Sequence, residues 1–274
     1  MKGSTYHAKI NLDFFNRRLK LEEYRGNLPL IIEEMYKLVD NHQLEKLICK
    51  VRHEDLFVFI ENGFMIEAVI KRYFVGSDCY FVTKYFSNER RNSDKWMEEE
   101  TILSGVLAKK REEYSPDSDP KFHIRKATPK DATELASLYS QVFQIYPTPL
   151  NKPNYIEKVM NDTTIFYVVE DNGQIVSAAS AEVNGPQFNA ELTDCATLPS
   201  YRKHGLMKQL LVRLEEELVR NDIFCAYSIA RALSYGMNNC FYQLGYSYTG
   251  RLTNNCYIFD KIEDMNVWVR DLSQ

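Results

Sequence analysis

The stretch Asp194-Cys195-Ala196-Thr197-Leu198-Pro199-Ser200-Tyr201-Arg202-Lys203-His204-Gly205-Leu206-Met207 holds the residue types in this chain best suited to chemistry. A short extended run stops at a proline. A basic, glycine-containing turn then opens an amphipathic helix, in which Leu206, Leu210, Leu211, Leu214 and Leu218 recur at helical spacing. The first N–H groups of such a helix lack partners and converge on one spot, where the helix dipole favours an anion. Gly205 allows a ligand close to the backbone, and Arg202 and Lys203 add positive charge. The pattern reads as a pyrophosphate cradle. A dinucleotide fingerprint would need Gly-x-Gly-x-x-Gly and a P-loop would need Gly-Lys-Ser/Thr, and neither stands here.

Pro199-x-Tyr201-Arg202-x-x-Gly205-Leu206 resembles the Arg/Gln-x-x-Gly-x-Gly/Ala turn of the GNAT acetyltransferase superfamily, which grips the pyrophosphate of coenzyme A. Met207 departs from it, since a small residue is usual there. The resemblance implies acetyl-CoA as co-substrate and no metal. It further implies that the backbone of Cys195, Ala196 and Thr197 meets the pantetheine arm and the thioester carbonyl, with Arg202, Lys203, His204, Gly205, Leu206, Met207 and Lys208 around the phosphates. Strands of this fold splay at that point, which leaves amides available as an oxyanion site.

Acetylating an amine also needs a base, because an alkyl ammonium of pKa near 10.4 leaves only on the order of one molecule in a thousand nucleophilic at pH 7. Ala190-Glu191-Leu192 resembles the position of the catalytic glutamate in the histone-acetyltransferase branch, so Glu191 is the first candidate. Asp194 is the second, although strand alternation puts it on the opposite face unless a bulge intervenes. Another family position for a base falls near Ile229, which cannot ionise. The acid that usually meets the departing thiolate is the tyrosine of Tyr-x-x-x-Gly-Phe. Here the run is Phe241-Tyr242-Gln243-Leu244-Gly245-Tyr246, and Ser234 replaces an asparagine seven residues earlier. Tyr242 lies about 100° around the helix from the needed direction. Tyr235, Ser234, Tyr227 or water remain as proton donors.

Ile229-Ala230-Arg231-Ala232-Leu233-Ser234-Tyr235-Gly236-Met237-Asn238, Asn254-Asn255 and Met265-Asn266-Val267-Trp268 resemble a narrower group, the β-lysine N-acetyltransferases. These acetylate the ε-amine of β-lysine to give Nε-acetyl-β-lysine, a compatible solute. A substrate with two ammonium groups and one carboxylate calls for both signs in its pocket. Arg231 could hold the carboxylate in a bidentate fork, or form a structural salt bridge. Asn238, Asn254 and Asn255 could fix orientation, or the asparagine pair could be turn residues. Rival readings are a peptide, protein-lysine or polyamine N-acetyltransferase, and a non-catalytic acyl-CoA sensor, which Phe241 and Met207 keep in play.

The elements around these residues set the frame. The chain has 274 residues, with Lys and Arg totalling 34 against 38 Asp and Glu, a net charge of −4 that gives no electrostatic case for nucleic acid or an anionic membrane as partner. Six scattered cysteines without a Cys-x-x-Cys pair argue against a zinc site and suit a reducing cytoplasm. No apolar run approaches the roughly 20 residues of a spanning helix. Two prolines among short polar residues at 115–120 read as a linker. It separates an N-terminal α/β domain, 1–112, from an acetyltransferase domain, 121–274.

Before the linker, extended runs are expected at 10–24, 46–52, 65–75 and 79–86, with a helix from Asn27. After it, the order is strand, two helices, three strands, helix, strand, helix and two closing strands at 245–252 and 256–259. The fold class is thus α/β, with one mixed, twisted sheet flanked by helices as in the GNAT fold, and a dimer is compatible with it. Phe59-Ile60-Glu61-Asn62-Gly63-Phe64 echoes Phe241-Tyr242-Gln243-Leu244-Gly245-Tyr246. Either the N-terminal part is a GNAT-like unit without the cofactor turn, or two ordinary helix–turn–strand units coincide.

Overall fold

The apolar runs pair into a single sheet of twelve strands in the computed structural model, which describes residues 1–112, 121–143, 148–258 and 260–273. The N-terminal half contributes β1 (Tyr6–Asp13), β2 (Arg18–Gly26), α1 (Leu28–His42), β3 (Lys46–Arg52), α2 (Leu56–Glu61), β4 (Met65–Phe74), β5 (Ser77–Tyr85), α3 (Asn88–Arg91) and α4 (Trp96–Leu107). The C-terminal half contributes β6 (His123–Lys126), α5 (Ala132–Val142), α6 (Pro153–Met160), β7 (Thr164–Asp171), β8 (Gln174–Asn184), β9 (Asn189–Thr197), α7 (Leu206–Arg220), β10 (Cys225–Arg231), α8 (Tyr235–Gln243), β11 (Ser247–Ile258) and β12 (Lys261–Asp271). The strand order is β1-β2-β3-β5-β4-β11-β12-β10-β9-β8-β7-β6.

Local chemistry accounts for the elements. Asn172 and Gly173 both take positive φ, as the tight turn joining β7 to β8 requires. Thr128 and Asp131 form a reciprocal cap ahead of α5. From Ile175 to Ala181, β8 is buried at every position, with β7 and β9 on its two edges and α5 and α7 packed against it. The leucines of α7 are buried against β7, β8 and β9.

The two halves are wound alike. β1 is antiparallel to β2, β2 parallel to β3, β3 antiparallel to β5, and β5 antiparallel to β4. The series β8, β9, β10, β12 and β11 repeats this order and sense. A helix joins each parallel pair, α1 in one half and α7 in the other. β4 and β11, which hold equivalent places, meet antiparallel at the seam through Ala68 and Gly250. A hydrophobic cluster including Ile48, Ile70 and Phe81 from one half and Tyr227, Leu252 and Met265 from the other closes over that seam.

Three expectations need correction. The run 10–24 is two strands, because Asn16 and Arg17 turn the chain and Arg17 takes a positive φ of 47°. The runs expected at 245–252 and 256–259 fall on one strand, β11, which spans Ser247–Ile258 and is interrupted by a bulge at which Asn254 is left-handed. Polar residues in the bulge imitate a turn between strands. The last strand is instead β12, which carries Met265 to Trp268. Phe259 and the linker at 115–120 lie outside the described residues.

Candidate active site

β9 ends at Thr197, and Pro199–Tyr201 form a tight turn that leads into Lys203 and Gly205, with φ of 71° and 70°. Gly205 is the N-cap of α7. Among the described residues no side chain caps this helix, and its first turn holds no acid. A Cβ at Gly205 would meet no atom of the described residues within 4 Å, so among them open space lies in front of the turn. An uncapped helix start facing open space, with Arg202, Lys203 and Lys208 around it, fits a pyrophosphate. The turn is braced from behind, where the Tyr201 hydroxyl donates to Asp171 at 3.0 Å and Arg202 Nε donates to the Thr197 carbonyl at 3.4 Å.

The strand that delivers this turn is bent and splayed. Ala178 opposes Ala196 while Ser180 opposes Thr193, so three steps along β9 face two along β8. The bulge contains Asp194, whose φ is 52°. It brings Asp194 onto the same cleft as Glu191 despite their odd separation. Asp194 is held by Ser180 Oγ at 2.7 Å, and its carbonyl accepts from the Tyr139 hydroxyl at 3.0 Å. The β9–β10 ladder runs from Asn189 to Glu191 and stops at the pair Tyr227–Glu191. From Leu192 onward the edge of β9 facing β10 therefore carries amides outside that ladder.

A cleft of about 980 Å³ runs from the cradle along this splay. Thr197, Gly205, Leu206 and Met207 border its cradle end, and Cys195, Ile229, Met237 and Phe241 border its middle. Its far end is charged and drawn from both halves, with Glu182 and Glu191 on one side and Lys20, Glu22 and Lys50 on the other. Burial, and then the facing Glu182, push the Glu191 carboxyl up to about 7 against the pull of Lys50, Lys20 and the Tyr227 hydroxyl. Burial likewise raises Glu182, and Lys20 and Lys50 oppose it.

The other anticipated residues divide. Arg231 borders the cleft, but its fork engages Glu263 at 2.8 and 2.7 Å. Asn255 also borders it and is 6% exposed, and its Oδ1 has no partner among the described residues. Asn238 and Asn254 do not reach the cleft. The Asn238 amide donates to the carbonyls of Arg231 and Ser234 and accepts from Asn266 and Trp268. The Asn254 amide donates to the carbonyls of Glu89, Arg90 and Asn92, holding the bulge of β11. His204 packs against the Phe122 ring at 5.6 Å, away from the cleft wall. The Ala196 side chain is buried, and its carbonyl accepts from Ser177.

Phe241 is fully buried at the position of the usual acid, and the Tyr242 hydroxyl points elsewhere, donating to the carbonyls of Leu107 and Lys109 at 3.2 and 2.9 Å. Of the three alternative hydroxyls, Ser234 borders the cleft. Sequence reasoning missed Lys20, Glu22, Lys50 and Glu182. No spacing relates the first three to the cradle, because the sheet brings them in from the far half.

The sequence profile of the acetyltransferase (GNAT) family matches residues 132–246. The chain is 38% identical over 272 residues to the N-acetyltransferase YodP of Bacillus subtilis, covering 99% of this chain and 98% of that protein. It is 40% identical over 230 residues to the beta-lysine N(6)-acetyltransferase of Methanosarcina mazei, covering 77% of this chain and 85% of the relative. Against the beta-lysine N(6)-acetyltransferase of Methanococcus maripaludis the identity is 35% over 263 residues, covering 95% of each. The profile match takes in the cradle but none of residues 1–112, whereas the first and third alignments extend through most of the N-terminal half as well.

Proposed function

We propose that this chain, which belongs to the acetyltransferase (GNAT) family, transfers the acetyl group of acetyl-CoA to the side-chain amine of a small diamino acid, with β-lysine as acceptor and the compatible solute Nε-acetyl-β-lysine as product. The observation that carries this reading is the cleft's polarity. An anion-binding helix start stands at one end and carboxylates mixed with ammonium groups at the other, which suits a short acceptor bearing both signs. The names of the two relatives at 35% and 40% identity support the choice of acceptor.

In this reading residues 121–274 form the transferase unit, residues 1–112 close its acceptor end, and the protein works in the cytoplasm. The turn at Arg202 to Lys208 holds the pyrophosphate of acetyl-CoA, which supplies the acetyl group as a thioester. The edge of β9 from Cys195 to Thr197 orients the pantetheine arm and offers amides to the carbonyl oxygen. Glu191 takes a proton from the acceptor ammonium, with Asp194 as the nearby second carboxylate. Its raised affinity for protons suits a group that must collect one near neutral pH. Asn255 and Arg231 orient the rest of the acceptor, and Ser234 is the hydroxyl nearest the role of acid.

The test is coenzyme A release with acetyl-CoA and a panel of β-lysine, α-lysine, polyamines and a lysine-containing peptide. Preference for β-lysine, lost in Glu191→Gln, is the expected result. Turnover confined to the peptide or to polyamines would replace the acceptor. Silence across the panel with retained acetyl-CoA binding would favour the sensor reading, which the buried Phe241 supports.

A further inference from the structure

The charged end of the cleft contains one ammonium group, that of Lys20, less tightly paired than the cations beside it. Glu182 and Glu191 oppose each other across the β8–β9 ladder, a like-charge pair that a cation between them would relieve. Facing them, Arg18, Lys20 and Glu22 alternate along β2 and so share a face. Their commitments differ. Arg18 donates to Asp13 at 2.9 Å and to the Asn255 carbonyl at 2.8 Å. Lys50 pairs with Glu22 at 2.5 Å and lies over the Tyr73 ring. Lys20 stands 3.9 Å from Glu22, the outer limit of an ion pair, and its side chain is 33% exposed. Lys20 is also close enough to Glu182 and Glu191 to act on both charges.

We infer that Lys20, from the N-terminal half, is a specificity-determining residue that binds the acceptor's carboxylate, while Glu182 holds the acceptor's second ammonium and Glu191 faces the reacting amine. The inference rests on the reading of the acceptor as a small diamino acid. It explains why a transferase unit would keep a cradle-less half beside it: that half reads the amino-acid head. A diamine without a carboxylate would leave Lys20 unengaged, so the site discriminates by charge and not by length.

The experiment compares β-lysine with 1,4-diaminopentane, the same diamine skeleton without the carboxylate, in the whole chain and in Lys20→Met and Lys20→Arg. A charge-assisted hydrogen bond of ordinary strength predicts that Lys20→Met raises KM for β-lysine about tenfold or more. Because Lys20 also helps keep Glu191 ionised, each protein is compared on its own high-pH plateau, where the same change should leave the KM for acetyl-CoA and the KM for 1,4-diaminopentane near their starting values, and Lys20→Arg should recover most of the loss. Equal increases for both acceptors, or no increase for either, would overturn the inference. If α-lysine or ornithine proves the better acceptor, β-lysine is the wrong substrate, and the same comparison with that acceptor's decarboxylated counterpart still tests Lys20. A best acceptor that carries no carboxylate, or no turnover at all, sinks the inference outright.

Discussion

At the residue scale, Glu191 makes a pH prediction. Its carboxyl is pushed up to about 7, first by burial and then by Glu182, and only the ionised form can take a proton. Activity should therefore rise with pH through about 7 and fall away below it. Glu182→Gln removes a like charge and should move that limb to lower pH. Glu191→Gln should abolish the limb and lower kcat about 100-fold or more. A pH profile of kcat/KM for the three proteins checks both, and a limb unmoved by Glu182→Gln would contradict the electrostatic account. Residue types alone could not have settled such roles everywhere. Asn238 and Asn254 carry the same amide as Asn255, yet two are bound to main-chain groups and the third borders the cleft. What separates them is the left-handed turn at Asn254 and the closing strand β12, and no spacing in the sequence announces either.

At the element scale, the clearest contrast lies between two helix starts in equivalent places. Among the described residues, α7 begins without a side-chain cap at Gly205, with space before it. α1 begins at Asn27, whose side chain accepts from the Leu30 amide at 3.3 Å, and Pro29 in its first turn has no N–H to offer. Gly26 before it is pressed against Thr5, where a Cβ would come within 2.2 Å of a carbonyl oxygen. This is why the turn and its uncapped helix start were legible in sequence: a single contiguous stretch fixes glycine, charge and helix start together. The outcome of Gly205→Ala follows from its left-handed conformation, costing about 1 kcal/mol, and from a methyl group intruding on the proposed phosphate site. Acetyl-CoA affinity should fall about tenfold while Tm without ligand drops by only about 2 to 4 °C. Asn27→Ala should show the reverse, a comparable loss of stability from the missing cap with acetyl-CoA binding intact. Calorimetric titration and thermal melts of the two variants distinguish these outcomes.

At the scale of the whole molecule, the seam between the halves is narrow in backbone and broad in packing. Gly250 allows β4 and β11 to touch, since a Cβ there would lie 2.0 Å from the Glu67 carbonyl oxygen and 2.5 Å from the Ala68 Cα. Behind it Glu67, 5% exposed at its side chain, takes hydrogen bonds from Thr83 at 2.6 Å and from the Thr253 amide at 2.9 Å, with the Lys46 ammonium 3.0 Å away. Gly250→Val should cost about 3 kcal/mol or more and lower Tm by roughly 6 °C or more. Because the halves share a hydrophobic cluster, calorimetry should still record one unfolding transition. Two separate transitions would show that the halves melt independently. The order of elements in the C-terminal half was legible from periodicity and turn residues. The join was not, because it depends on pairing between strands some 180 positions apart that both look like ordinary edges.

The matched winding of the two halves has a consequence for stoichiometry. A symmetric pair of identical subunits would carry two donor sites and two copies of every acceptor contact, so any change on one side would be forced on the other. Here both halves sit on one chain and differ, with the helix start bare in one and closed in the other. Titration should find one acetyl-CoA per chain. On the proposed reading, acceptor preference can then be retuned through β2 and β3 while the grip on the donor stays fixed, a division of labour that two identical copies could not adopt.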